Sequence, residues 1–169
     1  MKTPGSNPTW VRRTTILALS AAASAVLAAS PELEKVVISG QPTAKSLGVV
    51  EAKAQAKDAE KVVVQGKVKD FVEGQAVFTL ADNAMKSCKD NGENCPTPWD
   101  YCCNSKDAIS KNTATVKVIA EAGSKKALKE NIQGVKGIDH LVPVTVEGTA
   151  QKDKTGNLVV LADKIYLSK

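Results

Sequence analysis

Histidine and aromatic residues are scarce in this chain of 169 residues. There is one histidine, His140, and aromatic residues make up 4% of the sequence. A lone histidine cannot be matched to a particular serine by a hydrolase signature. A glycine-rich phosphate loop is also absent from the sequence. The sequence therefore predicts no catalytic residues, and we expect a protein that is not an enzyme.

Long hydrophobic runs are also missing, since no apolar stretch reaches the ~20 residues that cross a bilayer. The apolar run at residues 14–27 follows Arg12 and Arg13 in a basic segment without acids. This pattern is typical of a secretory signal peptide, which we place at residues 1–29. It predicts a periplasmic or secreted protein that would touch a membrane only through an uncleaved signal.

The excess of positive charge is small once the signal is set aside. The chain has 23 Lys and Arg against 18 Asp and Glu, and three of the basic residues lie in residues 1–28. The remainder has 20 basic and 18 acidic residues, a net charge of +2. Its lysines are interspersed with acids, whereas nucleic-acid binders concentrate basic residues in a patch. The charge pattern therefore argues against a nucleic-acid partner.

What the chain does contain is a cluster of cysteines. All four, Cys88, Cys95, Cys102 and Cys103, lie within sixteen positions. An even number of cysteines in an exported protein predicts disulfides. Because a bridge between neighbours 102 and 103 is strained, we expect Cys88 and Cys95 each to pair with one of them. Each bridge closes a loop of about 8–16 residues and stabilises the fold by roughly 2–3 kcal/mol.

A metal centre on the same four cysteines is the alternative, with zinc as the ion. Zinc and iron–sulfur sites usually contain C-x₂-C pairs. Here six residues separate the first two cysteines, six the next two, and none the last two. The C-x-x-C spacing of the common redox proteins is missing as well. With disulfides we expect no cofactor, and a metal or redox role for the thiols stays open.

Residues 30–60 have the composition of a linker. The stretch at residues 51–60 is rich in Ala, Lys and Glu, which favour a helix. It has no apolar stripe beyond alanine, so nothing predicts its attachment to a core. We expect a solvated tether or a marginal helix.

From residue 61 to residue 169 the pattern changes to that of a β domain. Alternating apolar residues, with a bend at Gly66 and a bulge near Asp163, are typical of strands that curl. A glycine turn at residues 152–157 joins the last two strands. The strands are predicted at residues 62–68, 75–81, 113–120, 141–148 and 158–167, with one helix at residues 125–133.

This order of elements resembles the OB-fold and, in particular, small exported bacterial OB-fold proteins. The resemblance is carried by residues 62–68 with Gly66, and by residues 144–149 leading through a hairpin to residues 158–166. It implies a mostly β domain with one helix, folded as a five-stranded Greek-key barrel. Residues 82–112 then form a Cys-rich insertion between strands 2 and 3.

The function that fits these features is an exported, non-enzymatic binding or structural module with a disulfide-stapled loop. Two prolines stiffen the loop, and Trp99 and Tyr101 are its candidate binding residues for a protein, a glycan or an envelope component. The first alternative is a metal-binding or redox protein that uses the four cysteines. The second is a nucleic-acid-binding OB domain, in which Phe71 and Phe78 would stack on bases.

Overall fold

The structure is a computed structural model that describes Met1, residues 30–121 and residues 123–167. The predicted signal peptide at residues 1–29 lies almost wholly outside the described residues. Within the described part of the chain, no helix is both long enough and apolar enough to cross a membrane.

Seven strands and three short helices make up the described chain, together with one 3-10 turn at Val135–Gly137. The helices are α1 (Pro31–Val36), α2 (Val49–Gln55) and α3 (Lys106–Asn112). The strands are β1 (Val37–Ser39), β2 (Leu47–Gly48), β3 (Lys61–Phe71), β4 (Val77–Ala81), β5 (Thr113–Val118), β6 (Pro143–Lys152) and β7 (Leu158–Leu167).

Five of the strands close into a barrel. Strand β3 pairs antiparallel with β4, β4 pairs antiparallel with β5, and β5 runs parallel to β7. Strand β7 then pairs antiparallel with β6, and β6 pairs with β3 to close the ring. Antiparallel neighbours with one parallel pair between the third and fifth strands make an OB-like Greek-key barrel. The predicted mostly β, OB-like fold is confirmed.

Strand curvature depends on glycines and a bulge. A Cβ atom at Gly66 would lie 2.3 Å from the carbonyl oxygen of Ala81, and one at Gly148 would lie 2.1 Å from that of Leu161. Neighbouring backbone therefore occupies the space that a side chain would need. In the β6–β7 pair the register skips Asp163, which confirms the predicted bulge. These features let long strands curl around a core of aliphatic side chains and Phe78.

Residues 30–60 were expected to be a solvated tether or a marginal helix; a short helix, α2, is present, but the segment packs on the barrel and is not a solvated tether. Strand β1 pairs in parallel with β7, and β2 with β3, so the segment adds two strands to the sheet. The side chains of Leu33, Val37 and Val49 are fully buried in the barrel's core. The Val50 amide at the start of α2 donates to the Asp82 carboxylate at 3.1 Å. This segment is attached to the barrel by scattered apolar residues and not by one periodic apolar stripe.

The helix predicted at residues 125–133 is also wrong. Its two apolar anchors, Leu128 and Ile132, are buried as expected, but the backbone is irregular, with bends and one isolated bridge between Ala127 and Ile119. The Leu128 carbonyl accepts from the Ala76 amide at 2.9 Å, and the Leu128 amide donates to the Val118 carbonyl at 2.9 Å. Hydrogen bonds to Ala76 and to Val118 of strand β5 replace those within a helix. The helix content lies elsewhere, in α1, α2 and α3.

We predict that Gly148→Ala destabilises the barrel by about 1–3 kcal/mol, as overpacking of a close backbone contact does. Chemical denaturation measures the change in unfolding free energy. The control is Gly156→Ala, at a hairpin position with φ of +81° and nothing within 4 Å. Strain in that turn alone costs about 1–2 kcal/mol and leaves the barrel contacts intact. A Gly148→Ala protein as stable as the natural chain would contradict the close approach.

Candidate metal centre

The Cys-rich loop is folded back on itself by its own backbone. The Cys88 amide donates to the Asp100 carbonyl at 2.8 Å, and the Lys89 amide donates to the Pro98 carbonyl at 2.8 Å. Gly92, at φ of +72°, allows the tight turn inside this ladder. The ladder brings the segment that precedes Cys102 alongside the segment that begins at Cys88.

Charged and polar side chains fasten the loop to strand β3. The Ser87 amide donates to the Asp90 carboxylate at 3.1 Å, and the Asp90 amide donates to the Ser87 hydroxyl at 3.2 Å. The Lys67 ammonium lies 3.1 Å from the same carboxylate. The Ser87 amide and the Lys67 ammonium hold the pKa of the Asp90 carboxyl below its ordinary value. The start of the loop is therefore fixed to the barrel wall.

A buried tyrosine fastens the other end of the loop. The side chain of Tyr101 is 0% exposed and packs with Ala81 and Met85 in a small second core, against which Leu141 lies. The Lys69 ammonium lies 5.9 Å from the centre of its ring. Tyr101 was predicted as a binding residue of the loop, and the structure corrects this because its ring faces the interior. Trp99 is half-buried and remains at the surface.

The four sulfur atoms meet at the closed end of the loop. The Sγ atom of Cys102 lies 3.2 Å from that of Cys88, 3.7 Å from that of Cys95 and 4.0 Å from that of Cys103. All four Sγ atoms lie within 4.8 Å of one another. Thiolates around a tetrahedral zinc, at about 2.3 Å from the ion, lie about 3.8 Å apart. The three distances from the sulfur atom of Cys102 lie on either side of this value.

None of these contacts is a covalent bond. A disulfide needs its sulfurs about 2.05 Å apart, and the four cysteines are free in the structure. The predicted disulfides are therefore not seen and stay a prediction. Cys88, Cys95, Cys102 and Cys103 nevertheless lie together as one cluster.

The thiols of this cluster resist being ionised together. A hydrogen bond from Cys102 lowers the pKa of Cys88. Hydrogen bonds with Cys88 and Cys102 raise the pKa of Cys95 to about 12. The pKa of Cys103 is raised to about 11, mainly by a hydrogen bond with Cys102. Several negative charges at this spacing need a cation between them. A metal ion would remove the repulsion and take all four as thiolates.

The donor set defines which ion suits the site. Thiolate sulfur is a soft ligand that selects zinc, copper(I) or iron–sulfur clusters over magnesium or calcium. Within residues 30–121 and 123–167, no other set of three or more potential ligands converges in this way. Cys88 is buried, Cys95 is half-buried, and Cys102 and Cys103 are exposed. A bound ion would thus join the barrel side of the loop to its outer side.

The single histidine lies outside this cluster. The Nδ1 atom of His140 is 2.6 Å from the Lys69 carbonyl oxygen. Its ring stacks on Trp99, with 5.0 Å between ring centroids, and meets the edge of Phe71 at 5.1 Å. Sequence reasoning missed this aromatic stack, because the three residues are far apart in the chain. His140 positions Trp99 and is not a fifth ligand candidate.

Comparison with known proteins gives no family. No family model matches the chain, and no curated protein matches it in sequence. Three solved structures are similar at 12% identity: the hypothetical protein YgiW of E. coli, an OBody (AM1L10) bound to hen egg-white lysozyme, and a putative aspartyl-tRNA synthetase of Leishmania major Friedlin.

These likenesses are distant. The TM-scores are 0.36 for YgiW, 0.35 for the OBody and 0.45 for the synthetase. The match covers 76% of this chain and 94% of YgiW, and 65% of this chain and 79% of the OBody. For the synthetase it covers 80% of this chain and 24% of that protein. The OB-like description comes from the strand pairing of this chain itself.

The hydroxyl of Tyr101 provides a test of how the loop packs on the barrel. It is buried, and among the described residues it has no hydrogen-bond partner. We predict that Tyr101→Phe is as stable as the natural protein at pH 7 or more stable by about 1 kcal/mol, since it removes an unpaired buried polar group. The control is Tyr166→Phe, which loses a 2.8 Å hydrogen bond to Glu147 and should be destabilised.

The same substitution has a pH signature. Burial first, then the carboxylates of Asp90 and Asp70, raise the pKa of Tyr101 to about 12. Above pH about 10 the unfolded chain releases this proton and the folded chain keeps it, so stability falls between pH about 10 and 12. Unfolding curves should show a smaller alkaline loss in Tyr101→Phe. An equal loss in both proteins would contradict the buried position of the phenol.

Proposed function

We propose that this chain is an exported, non-enzymatic OB-like protein whose Cys-rich loop holds one structural zinc ion on four thiolates. The supporting observation is the convergence of the four Sγ atoms within 4.8 Å of one another. A ligand spacing that differs from the common C-x₂-C pairs does not oppose this, because the backbone ladder of the loop brings the ligands together.

A structural role follows from the number of ligands. Catalytic zinc sites keep one coordination position for water or substrate, whereas structural sites are closed by four protein ligands. Here all four positions would be filled by Cys88, Cys95, Cys102 and Cys103. Zinc also prefers the tetrahedral geometry that such a set offers. The ion would therefore stabilise the loop and would have no catalytic role.

Closing the loop matters because few other contacts hold its outer half. Residues 91–94 and 96–98 are all exposed, and their side chains add nothing to either core. Cys95 lies between these two exposed stretches. A bond from Cys95 to an ion shared with the buried Cys88 would attach the turn to the barrel. This attachment is what a disulfide would otherwise supply.

The disulfide-stapled module is the second candidate. The Sγ atom of Cys102 is closest to that of Cys88, at 3.2 Å, and second closest to that of Cys95, at 3.7 Å. In an oxidising compartment neighbouring thiols of this kind join. Cys102 would take one of these two partners and Cys103 the other, which is the pairing expected from the sequence. Such a module would be rigid and would bind no metal at this site.

Metal content and thiol content of the purified full-length chain distinguish the two candidates. We expect one zinc per chain and four thiols that can be alkylated after denaturation. Two disulfides without metal, seen as a gain of about four hydrogen masses on reduction, would overturn the zinc centre in favour of the second candidate. The chain should be purified both with and without reductant, so that oxidation during handling is visible.

Ligand substitution gives the corresponding functional prediction. Cys88→Ser or Cys95→Ser should weaken zinc binding at least 100-fold and lower the melting temperature in the presence of zinc. Zinc at 1,000 times its dissociation constant stabilises the folded state by about 4.1 kcal/mol, and the variants lose this gain. The matched control is Asn94→Ser, an exposed change beside Cys95. Unchanged zinc affinity in both cysteine variants would contradict the proposal.

Proton competition gives the pH dependence. All four ligands must lose their protons to bind zinc, and the raised pKa values of Cys95 and Cys103 make that loss costly. We therefore expect zinc affinity to fall by more than tenfold for each unit that pH is lowered below 7. A competition titration with a chelator at several pH values measures this slope. A slope near zero would mean that the metal is held by other groups.

A further inference from the structure

A groove runs over the surface from the Cys-rich loop to the far end of strand β5. It consists of three adjoining cavities of about 440, 550 and 480 Å³. The first and second share Gln133 and Asp139 as lining residues, and the second and third share Glu73 and Gln75. The three cavities therefore adjoin one another along the surface. Adjoining surface cavities in a row suit a chain-like ligand rather than a compact one.

The first end of the groove carries a fixed aromatic ring. The Trp99 side chain lines the first cavity together with Pro98. Its ring is held by the stacked His140 ring. Because the Lys69 carbonyl can only accept, the Nδ1 atom of His140 carries the proton and the imidazole is fixed in orientation. A rigid indole of this kind binds the C–H face of a sugar ring, because the ring face is electron-rich.

The middle of the groove offers oriented polar groups. The Oδ1 atom of Asn131 accepts from the Gly74 amide at 2.6 Å, so its amide nitrogen is the end that can donate to a ligand. The Nε2 atom of Gln133 donates to the Asp139 carboxylate at 3.0 Å, which leaves the Gln133 carbonyl to accept. Donors and acceptors fixed side by side are what vicinal hydroxyl groups require.

The other end of the groove is basic. Lys125, Lys126 and Lys129 line the third cavity, and Lys117 joins them from strand β5. Glu73 is the only acidic residue among the lining residues there. Four ammonium groups around one cavity attract a carboxylate or a sulfate.

The three parts define one class of ligand, and we propose that the groove binds a linear oligosaccharide with neutral sugars along its length and an acidic sugar near one end. A nucleic acid carries a phosphate at every residue, and the carboxylates of Glu73 and Asp139 would repel it in the middle of the groove. An added peptide strand needs a free sheet edge. The edge strands of this sheet are β1 and β2, and neither of them lines the groove.

Isothermal titration with defined oligosaccharides tests this proposal on the full-length chain. The probe is a chain of four xylose units that carries one glucuronic acid, and the neutral comparison is xylopentaose. We expect the acidic probe to bind at least tenfold more tightly at low salt and the difference to shrink as salt screens the lysines. No binding of either sugar, or tighter binding of oligodeoxythymidine or an oligoglutamate peptide, would overturn the proposal.

Variants assign the two ends separately. Trp99→Ala should lower the affinity for both sugars by roughly two- to tenfold, which corresponds to the loss of one aromatic contact. The double change Lys125→Gln and Lys126→Gln should bring the acidic probe to the affinity of the neutral one and leave xylopentaose unaffected. The charge-matched control is the double change Lys57→Gln and Lys154→Gln, at two exposed lysines that do not line the groove. Equal loss with this control would contradict a local basic end.

The groove and the zinc centre share the Cys-rich loop but are formed by different residues. None of the four cysteines lines the groove, so the lysine variants should keep the metal content of the natural protein. Sugar binding without zinc would overturn only the metal centre, and zinc without sugar binding would overturn only the groove. Melting temperatures within about 2 °C of the natural protein show that the variants are folded.

Discussion

Two backbone hydrogen bonds inside the Cys-rich loop determine most of what is distinctive in this protein. They join Cys88 to Asp100 and Lys89 to Pro98. Without them the cysteines would be spread along a sixteen-residue segment. With them the sulfurs converge, and Tyr101 is directed into the barrel while Trp99 stays at the surface. The cysteine cluster and the aromatic end of the groove both depend on this ladder.

The barrel supplies the fixed frame for that loop. Its aliphatic core is built from alternating residues on five closed strands, and the N-terminal segment adds Leu33, Val37 and Val49 to the same core. Lys67 and Lys69 on strand β3 then bind the loop from outside, the first through Asp90 and the second through Asp100. The loop is thus fastened to a rigid wall at both ends and needs closure only at its tip, where Cys95 lies.

Sequence patterns predicted those features that depend on neighbours in the chain. Alternation gave the barrel strands, and the bulge at Asp163 followed from the break in that alternation. The prediction of a helix at residues 125–133 failed because two buried residues four apart also suit an irregular segment that is held by hydrogen bonds to Ala76 and to strand β5. The prediction of a tether at residues 30–60 failed because single apolar residues without a regular spacing do not indicate that a segment packs on a core. The sequence shows that the four cysteines are close together in the chain. It does not show the distances between their sulfur atoms, which depend on the ladder.

Zinc-edge X-ray absorption on the purified full-length chain tests the central claim most directly. Four thiolate ligands predict a single shell of sulfur neighbours at about 2.3 Å from the ion, with no nitrogen or oxygen in it. A shell that contains nitrogen or oxygen, or a chain whose cysteines are joined as disulfides and hold no zinc, would contradict it.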